Sequence, residues 1–166
     1  MKRILIFTLL ISFAFQQITA QQNEMTKQIN EQVWKPFIRS FNTGDDEGFK
    51  AVHSKEIIRV LQDDKDIFGY DRYFLRQPDT IKAKWGNWKK NIELRFIQRI
   101  AANDKAFEVG YYKTTNTNLQ TGEVRKSIGK FHVLMRKEEG VWKILMDADT
   151  SEGANEDLFN NADPLD

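Results

Sequence analysis

Apolar side chains recur at every fourth position through Ile29, Val33, Phe37 and Phe41, with Trp34 and Ile38 beside them and Lys27, Glu31, Lys35 and Arg39 between. That spacing predicts an amphipathic helix with one aromatic-rich face. Pro36 lies inside it and predicts a kink or break, because proline lacks the N–H and clashes with the preceding turn. Asn42-Thr43-Gly44 is a stop signal, and Asp45 or Asp46 can cap a second short helix carrying Phe49 and Val52 and ending near His53. Residues 57–61 read as a short strand and residues 63–66 as a turn. Tyr70, Tyr73, Phe74 and Leu75 suggest a third helix, with a break at Pro78 and a further helical piece from Asp79 carrying Ile81, Trp85 and Trp88. From Asn91 the period changes to two and predicts strands over 92–102, 105–117, 123–137 and 141–150. The turns between them are short, which implies antiparallel hairpins. Apolar residues occur on both faces of these strands, so one face is expected to meet the helices and part of the other a second copy of the chain.

Both ends differ from this body. Residues 1–20 begin with Lys2 and Arg3, run apolar from Ile4 to Phe15 broken only by Thr8 and Ser12, and close on Ile18-Thr19-Ala20. This is the three-part pattern of a cleaved secretory signal peptide, and the run is shorter than the ~20 residues of a membrane span. Residues 21–27 are polar and expected to fray. Residues 152–166 hold Glu152, Glu156, Asp157, Asp163 and Asp166 with no Lys or Arg, and read as a flexible, solvated tail with at most one turn at Leu158-Phe159. The domain proper is then residues 21–151.

Charge and composition narrow the classes. The full chain of 166 residues has net charge +1, and losing Lys2 and Arg3 with the leader makes it −1. Such a protein has no global field for nucleic acid or an anionic membrane. There is no cysteine, which excludes disulfides, thiolate metal sites and thiol nucleophiles. A hydrophobic content of 40% supports one packed domain without cross-links. Helices followed by a long meander make an α+β arrangement, with the sheet curled around the helices.

The order of helix, Asn42-Thr43-Gly44-Asp45, short helix, His53-Ser54, strand, and Gly69-Tyr70-Asp71 opening a third helix resembles the nuclear transport factor 2-like (NTF2-like) superfamily. The stretch from Gly129 to Lys137, then Gly140-Val141-Trp142-Lys143-Ile144 and Asp147 to Ser151, is similar to its SnoaL-like and DUF4440 group. The resemblance spans about residues 26–151. It implies a cone of three N-terminal helices packed on a curved, mainly antiparallel sheet, a pocket between them, and often a homodimer formed through the sheet. The superfamily's steroid isomerases place a phenol on the first helix and a carboxylate base near the end of the first strand. Here those positions fall on Phe37 and on Arg59-Val60-Leu61, so that activity is not expected.

Candidate chemistry follows from residue type. His53 and His132 are the only histidines and so the only side chains that ordinarily titrate near neutrality. Asp147 and Asp149 alternate on the last strand and share a face, where two carboxylates can raise one another's pKa. These four are the catalytic candidates. Trp34, Phe37, Arg59, Tyr70, Tyr73, Trp85, Phe96 and Tyr112 are the ligand-binding candidates, an apolar set with a few polar tips. Residues 147–158 fit a calcium loop poorly, with Glu152 and Leu158 at the two diagnostic positions, and the histidines lack zinc spacing. Lys82, Lys84, Trp85, Trp88, Lys89 and Lys90 form a basic aromatic stretch that suits a pocket rim better than nucleic acid. The expectation is an exported protein that binds a small, largely apolar molecule without a cofactor, with no membrane association after cleavage. The alternatives are a cofactor-independent lyase, isomerase or hydrolase using a His–Asp proton relay, and a non-catalytic dimerisation module.

Overall fold

A computed structural model describes residues 21–74 and 86–165. The leader, the Asp79 helical piece as far as Trp85, and Trp85 itself lie outside the described residues. Residues 21–29 are helical and form α1, which passes through a π turn at Asn30–Trp34 into α2, Lys35–Thr43. The 21–27 segment is therefore ordered helix rather than a frayed end; Met25 is buried and the Gln22 side-chain amide donates to the Arg99 carbonyl. Pro36 does not end the helix. The π turn, closed by the Lys35 N–H on the Asn30 carbonyl, places proline in the first turn of α2, where its missing N–H matters least. Gly44, at φ 69°, ends α2 in the left-handed conformation. The Asp45 carboxylate accepts from the Gly48 N–H and caps α3, Asp46–Ala51.

The chain then forms β1, His53–Leu61, and β2, Asp66–Phe68, before a single helical turn α4, Tyr70–Tyr73. Four long strands follow: β3, Trp88–Ala102; β4, Lys105–Asn118; β5, Val124–Glu138; and β6, Val141–Thr150. Trp88 opens β3 and does not belong to a helix. The tail folds as α5, Glu156–Asn161, and β7, Asp163–Pro164. The seven described strands form one sheet in the order β2-β1-β6-β5-β4-β3-β7. Only the β1–β6 pair is parallel; the others are antiparallel. The hairpin between β5 and β6 turns on Glu139 and Gly140, both with positive φ, the pattern of a tight two-residue connection.

The helices cover one face of this sheet. Ile29, Val33 and Trp34 from the helical segment meet Phe96, Met135, Trp142 and Ile144 from the strands, all at most 2% exposed. Each fully buried side chain of this size contributes roughly 1.5–3 kcal/mol. A bulge interrupts the register of β3 with β4 between Phe96 and Gln98, where such an extra residue bends the strand. Gly110 of β4 sits against it; a Cβ there would lie 2.0 Å from the Arg95 carbonyl oxygen and 2.6 Å from the Phe131 ring. Only glycine lets the strands and that ring approach so closely. On the outer face, Phe159 of α5 is 1% exposed and packs with Ala162 on Tyr111. The acidic tail is thus a packed element, because one aromatic and a capped turn suffice to seat it: the Asn155 side chain accepts from the Leu158 N–H. Part of the outer face that called for a partner is covered by the chain itself. Among the described residues no helix is long and apolar enough to cross a membrane.

Candidate functional site

Between the helices and the inner face lies a cavity of about 300 Å³. Its walls are aromatic and aliphatic: Trp34, Phe37 and Phe41 from the first helical segment, Phe49 from α3, and Ile92, Leu94, Phe131, Val133 and Ile144 from the sheet. The helical spacing of four, read across Phe37 and Phe41, delivers the rings to one side; the strand period of two does the same for Ile92 and Leu94 and for Phe131 and Val133.

Polar groups enter mainly from β1 and β6. Their parallel register sets Arg59 opposite Asp147, and Leu61 opposite Asp149. The Arg59 guanidinium donates to Asp149 Oδ2 at 2.5 Å and to the backbone carbonyls of Asp147 and Val60 at 3.0 and 3.2 Å. It lies 3.6 Å from Asp147 Oδ1. The Tyr73 hydroxyl donates to Asp147 Oδ2 at 3.1 Å. Burial pushes both carboxyls above the usual carboxylate range, opposed by the charge of Arg59. Burial also works against the Arg59 charge, but Asp147, Tyr73 and Asp149 outweigh it and hold the guanidinium firmly protonated. Burial, with the Asp147 charge second, lifts the Tyr73 phenol well above its ordinary value. Burial, with the Asp149 charge second, pushes Tyr112 up to about 12. Both phenols therefore serve as neutral hydroxyl groups near pH 7. Farther along the cavity, Thr114 and Ser127 share a hydroxyl–hydroxyl bond of 2.6 Å.

Of the ligand-binding candidates, Trp34, Phe37, Arg59, Tyr73 and Tyr112 line the cavity. Phe96 does not; it is 1% exposed and packs edge-on to Trp34 and Phe131 as core. Tyr70 is also outside the lining, held by Lys55, whose ammonium donates to its hydroxyl at 2.7 Å. Asp147 and Asp149 share a face, as their spacing predicted, and that face looks into the cavity. The histidines do not join them. His132 lies on the opposite face of β5, paired with Val109 and Ala148 and stacked near Phe107, because Phe131 and Val133 take the inward positions. Burial, then Lys130, lowers its pKa.

His53 is buried behind the wall, its ring centroid 4.9 Å from Phe49, 5.2 Å from Phe74 and 5.5 Å from Tyr73. Its Nδ1 lies 2.7 Å from the Phe49 carbonyl and so carries the hydrogen; its Nε2 has no partner among the described residues. Burial lowers its pKa to about 4, only partly offset by that bond. A histidine at about 4 folded and 6.5 unfolded stabilises the native state above pH 6.5, and this stability is lost as the pH falls towards 4. We expect His53 alone to withdraw about 3 kcal/mol over that interval, read as the extra loss of wild type over H53F. H53F keeps the ring packing and should lose far less. Urea unfolding at pH 7.5 and 4.5 checks this; equal losses in both proteins would contradict a buried neutral imidazole.

The sequence reading passed over Phe49, Thr114, Ser127 and Glu108. Thr114 and Ser127 are ordinary strand residues, and only the β4–β5 register, which pairs them, brings them together. Glu108 is 1% exposed, and its alternation with the apolar Phe107 and Val109 gave no sign that it turns inwards. Its Oε2 accepts from the Trp34 indole N–H at 2.5 Å and its Oε1 from Arg99 Nε at 2.9 Å. Arg99 also donates to Asn30 Oδ1 in the π turn at 2.5 Å. This chain of bonds fixes Trp34 in the cavity wall. Among the described residues no group of three or more histidine, aspartate or glutamate side chains could hold a metal ion.

A curved sheet closed by helices around one cavity, its polar groups gathered at the β1–β6 seam, defines an α+β cone. The chain has the NTF2-like fold. An NTF2-like protein of unknown function from Shewanella oneidensis superposes with a TM-score of 0.57 at 18% identity, over 75% of this chain and 97% of that one. A ketosteroid isomerase-like protein from Erwinia carotovora gives 0.53 at 14% identity, over 73% and 94%. A hexachlorocyclohexane dehydrochlorinase gives 0.57 at 9% identity, over 82% and 90%. No family model matches the chain, and no curated protein matches it in sequence.

Proposed function

We propose that this chain is exported and binds a small, largely apolar molecule in the cone cavity. The observation that carries this is the cavity itself: about 300 Å³ walled by rings and aliphatic side chains, with a few polar groups, the charged ones in one cluster, to fix orientation. Engineered apolar cavities of about 150 Å³ hold benzene, so this one suits a ring with a short substituent. Export rests on the leader pattern of residues 1–20. The SnoaL-like and DUF4440 grouping rests on the motifs from Gly129 to Ser151. A homodimer through the outer face rests on Ile58 and Ile100, 49% and 47% exposed on strands of that sheet.

The test is a calorimetric titration with small neutral aromatic alcohols, 2-phenylethanol first, into wild type and V133F, whose larger ring fills the space. Saturable one-to-one binding, at least tenfold weaker in V133F, supports the reading. No binding by any of them or by their amine and carboxylate analogues, or binding that V133F leaves unchanged, overturns it.

One observation favours a second reading, proton transfer: a buried carboxyl held above its usual range beside a phenol donor and a cation. The names of the isomerase-like and dehydrochlorinase structures are compatible with it. Here Asp147 or Asp149, rather than a His–Asp relay, would move the proton, with Arg59 or a tyrosine holding the oxyanion. An enzyme of this kind should lose turnover in D149N or D147N while keeping ligand affinity within a few-fold.

A further inference from the structure

The polar end of the cavity is short of one positive charge. Among the described residues its charged lining is Arg59, Asp147 and Asp149, one cation against two carboxylates. The phenols of Tyr73 and Tyr112 add none, and the neighbouring Asp63, whose carboxylate accepts from Thr150 Oγ1 and the Ser151 N–H, adds negative charge. His53 lies behind the ring wall, and its held-down pKa keeps it neutral at pH 7. Three of the five guanidinium N–H donors are already taken, two on Nη1 by backbone carbonyls and one on Nη2 by Asp149. A ligand anion reaching the remaining donors would lie beside two carboxylates. Asp149 is the most open of the three side chains, 24% exposed against 13% for Asp147 and 9% for Arg59. Only its Oδ2 is engaged by a hydrogen bond from the described residues. The rings of Trp34, Phe37 and Phe131 line the rest of the cavity and supply its apolar walls.

We infer that the cavity selects a ligand carrying a protonated amine on an apolar body, with the ammonium group against Asp149 and the body among the aromatic rings. The inference rests on the small-molecule reading above and narrows it to one ligand class. An ammonium group donates to the carboxylate, completes the charge balance of the Arg59–Asp147–Asp149 cluster, and keeps its alkyl or aryl body out of water.

The test is a charge series of near-equal shape at pH 7: 2-phenylethylammonium, 2-phenylethanol and phenylacetate, titrated into the wild type. The ammonium should bind at least tenfold more tightly than the alcohol, with phenylacetate weakest. D149N, which keeps an acceptor for Arg59, should erase the preference for ammonium over alcohol. Alcohol or phenylacetate binding as tightly as the ammonium overturns the inference and leaves the small-molecule reading standing; no binding by any of the three removes both. The wild-type series is decisive even if D149N folds poorly.

Discussion

Replacing Arg59 by methionine is expected to destabilise the protein by about 3–5 kcal/mol at pH 7, the range for removing one partner of a buried ion pair. Methionine retains much of the volume, so the loss is electrostatic. Asp147 and Asp149 would remain on the inner face with no countercharge, and the backbone carbonyls of Asp147 and Val60 would lose their donor. The effect has a pH signature. Without Arg59, only the Tyr73 hydrogen bond to Asp147 still opposes burial, and both carboxyls rise further above their unfolded values. A raised carboxyl stabilises the fold only at low pH, and that contribution disappears as the pH climbs through the folded value. The deficit of R59M against wild type should therefore be largest at pH 7 and shrink towards pH 4. Urea unfolding at the two pH values measures it. Adding D147L and D149L to R59M should recover most of the loss, since a well-packed apolar cluster can replace an ion pair. A deficit below about 1 kcal/mol at pH 7 would mean that the cluster is hydrated and its charges screened.

Replacing Glu108 by leucine should cost about 3 kcal/mol or more, because it leaves Arg99 and the Trp34 indole N–H without their acceptor inside the protein. Arg99 keeps Asn30 and the Phe96 ring, 4.1 Å from its guanidinium carbon, which places the effect at the lower end of the buried-pair range. E108Q retains an acceptor for Trp34 and should cost less, about 1–2 kcal/mol. The readout beyond stability is the cavity wall. Trp34 held at one end by Glu108 is fixed; freed, it should loosen, with weaker near-ultraviolet circular dichroism and weaker ligand binding in E108L than in E108Q. Equal behaviour of the two variants would show that the hydrogen bond does not position the indole.

The sequence made the strands plain and the site only in part. The period of two from Asn91 placed β3 to β6 within a few residues at each end, because both faces of a long hairpin array repeat the same alternation. Asp147 and Asp149 were recognised as a pair for the same reason. The tail was misread because its charge density hid a single anchoring residue, Phe159, and no local pattern marks the strand at Asp163-Pro164. His132 was misplaced because alternation says that two residues share a face without saying which face looks inwards; the bulky pair Phe131 and Val133 decides it. His53 fell at the expected helix–strand junction, yet whether its ring reached the cavity depended on where Phe37, Phe49 and Tyr73 packed. The partnership of Arg59 with the two aspartates comes from the parallel register of β1 and β6, strands about 90 positions apart in the chain, which no local period encodes.

The most direct measurement is a two-dimensional amide spectrum of the protein, residues 21–166, titrated with the 2-phenylethyl probe that binds best. Shifts confined to the cavity lining, led by Arg59, Tyr112, Thr114 and Asp149, are the expected result. Shifts centred on Phe107 and His132 of the outer face, or none at saturating probe, would contradict a small-molecule site in the cone.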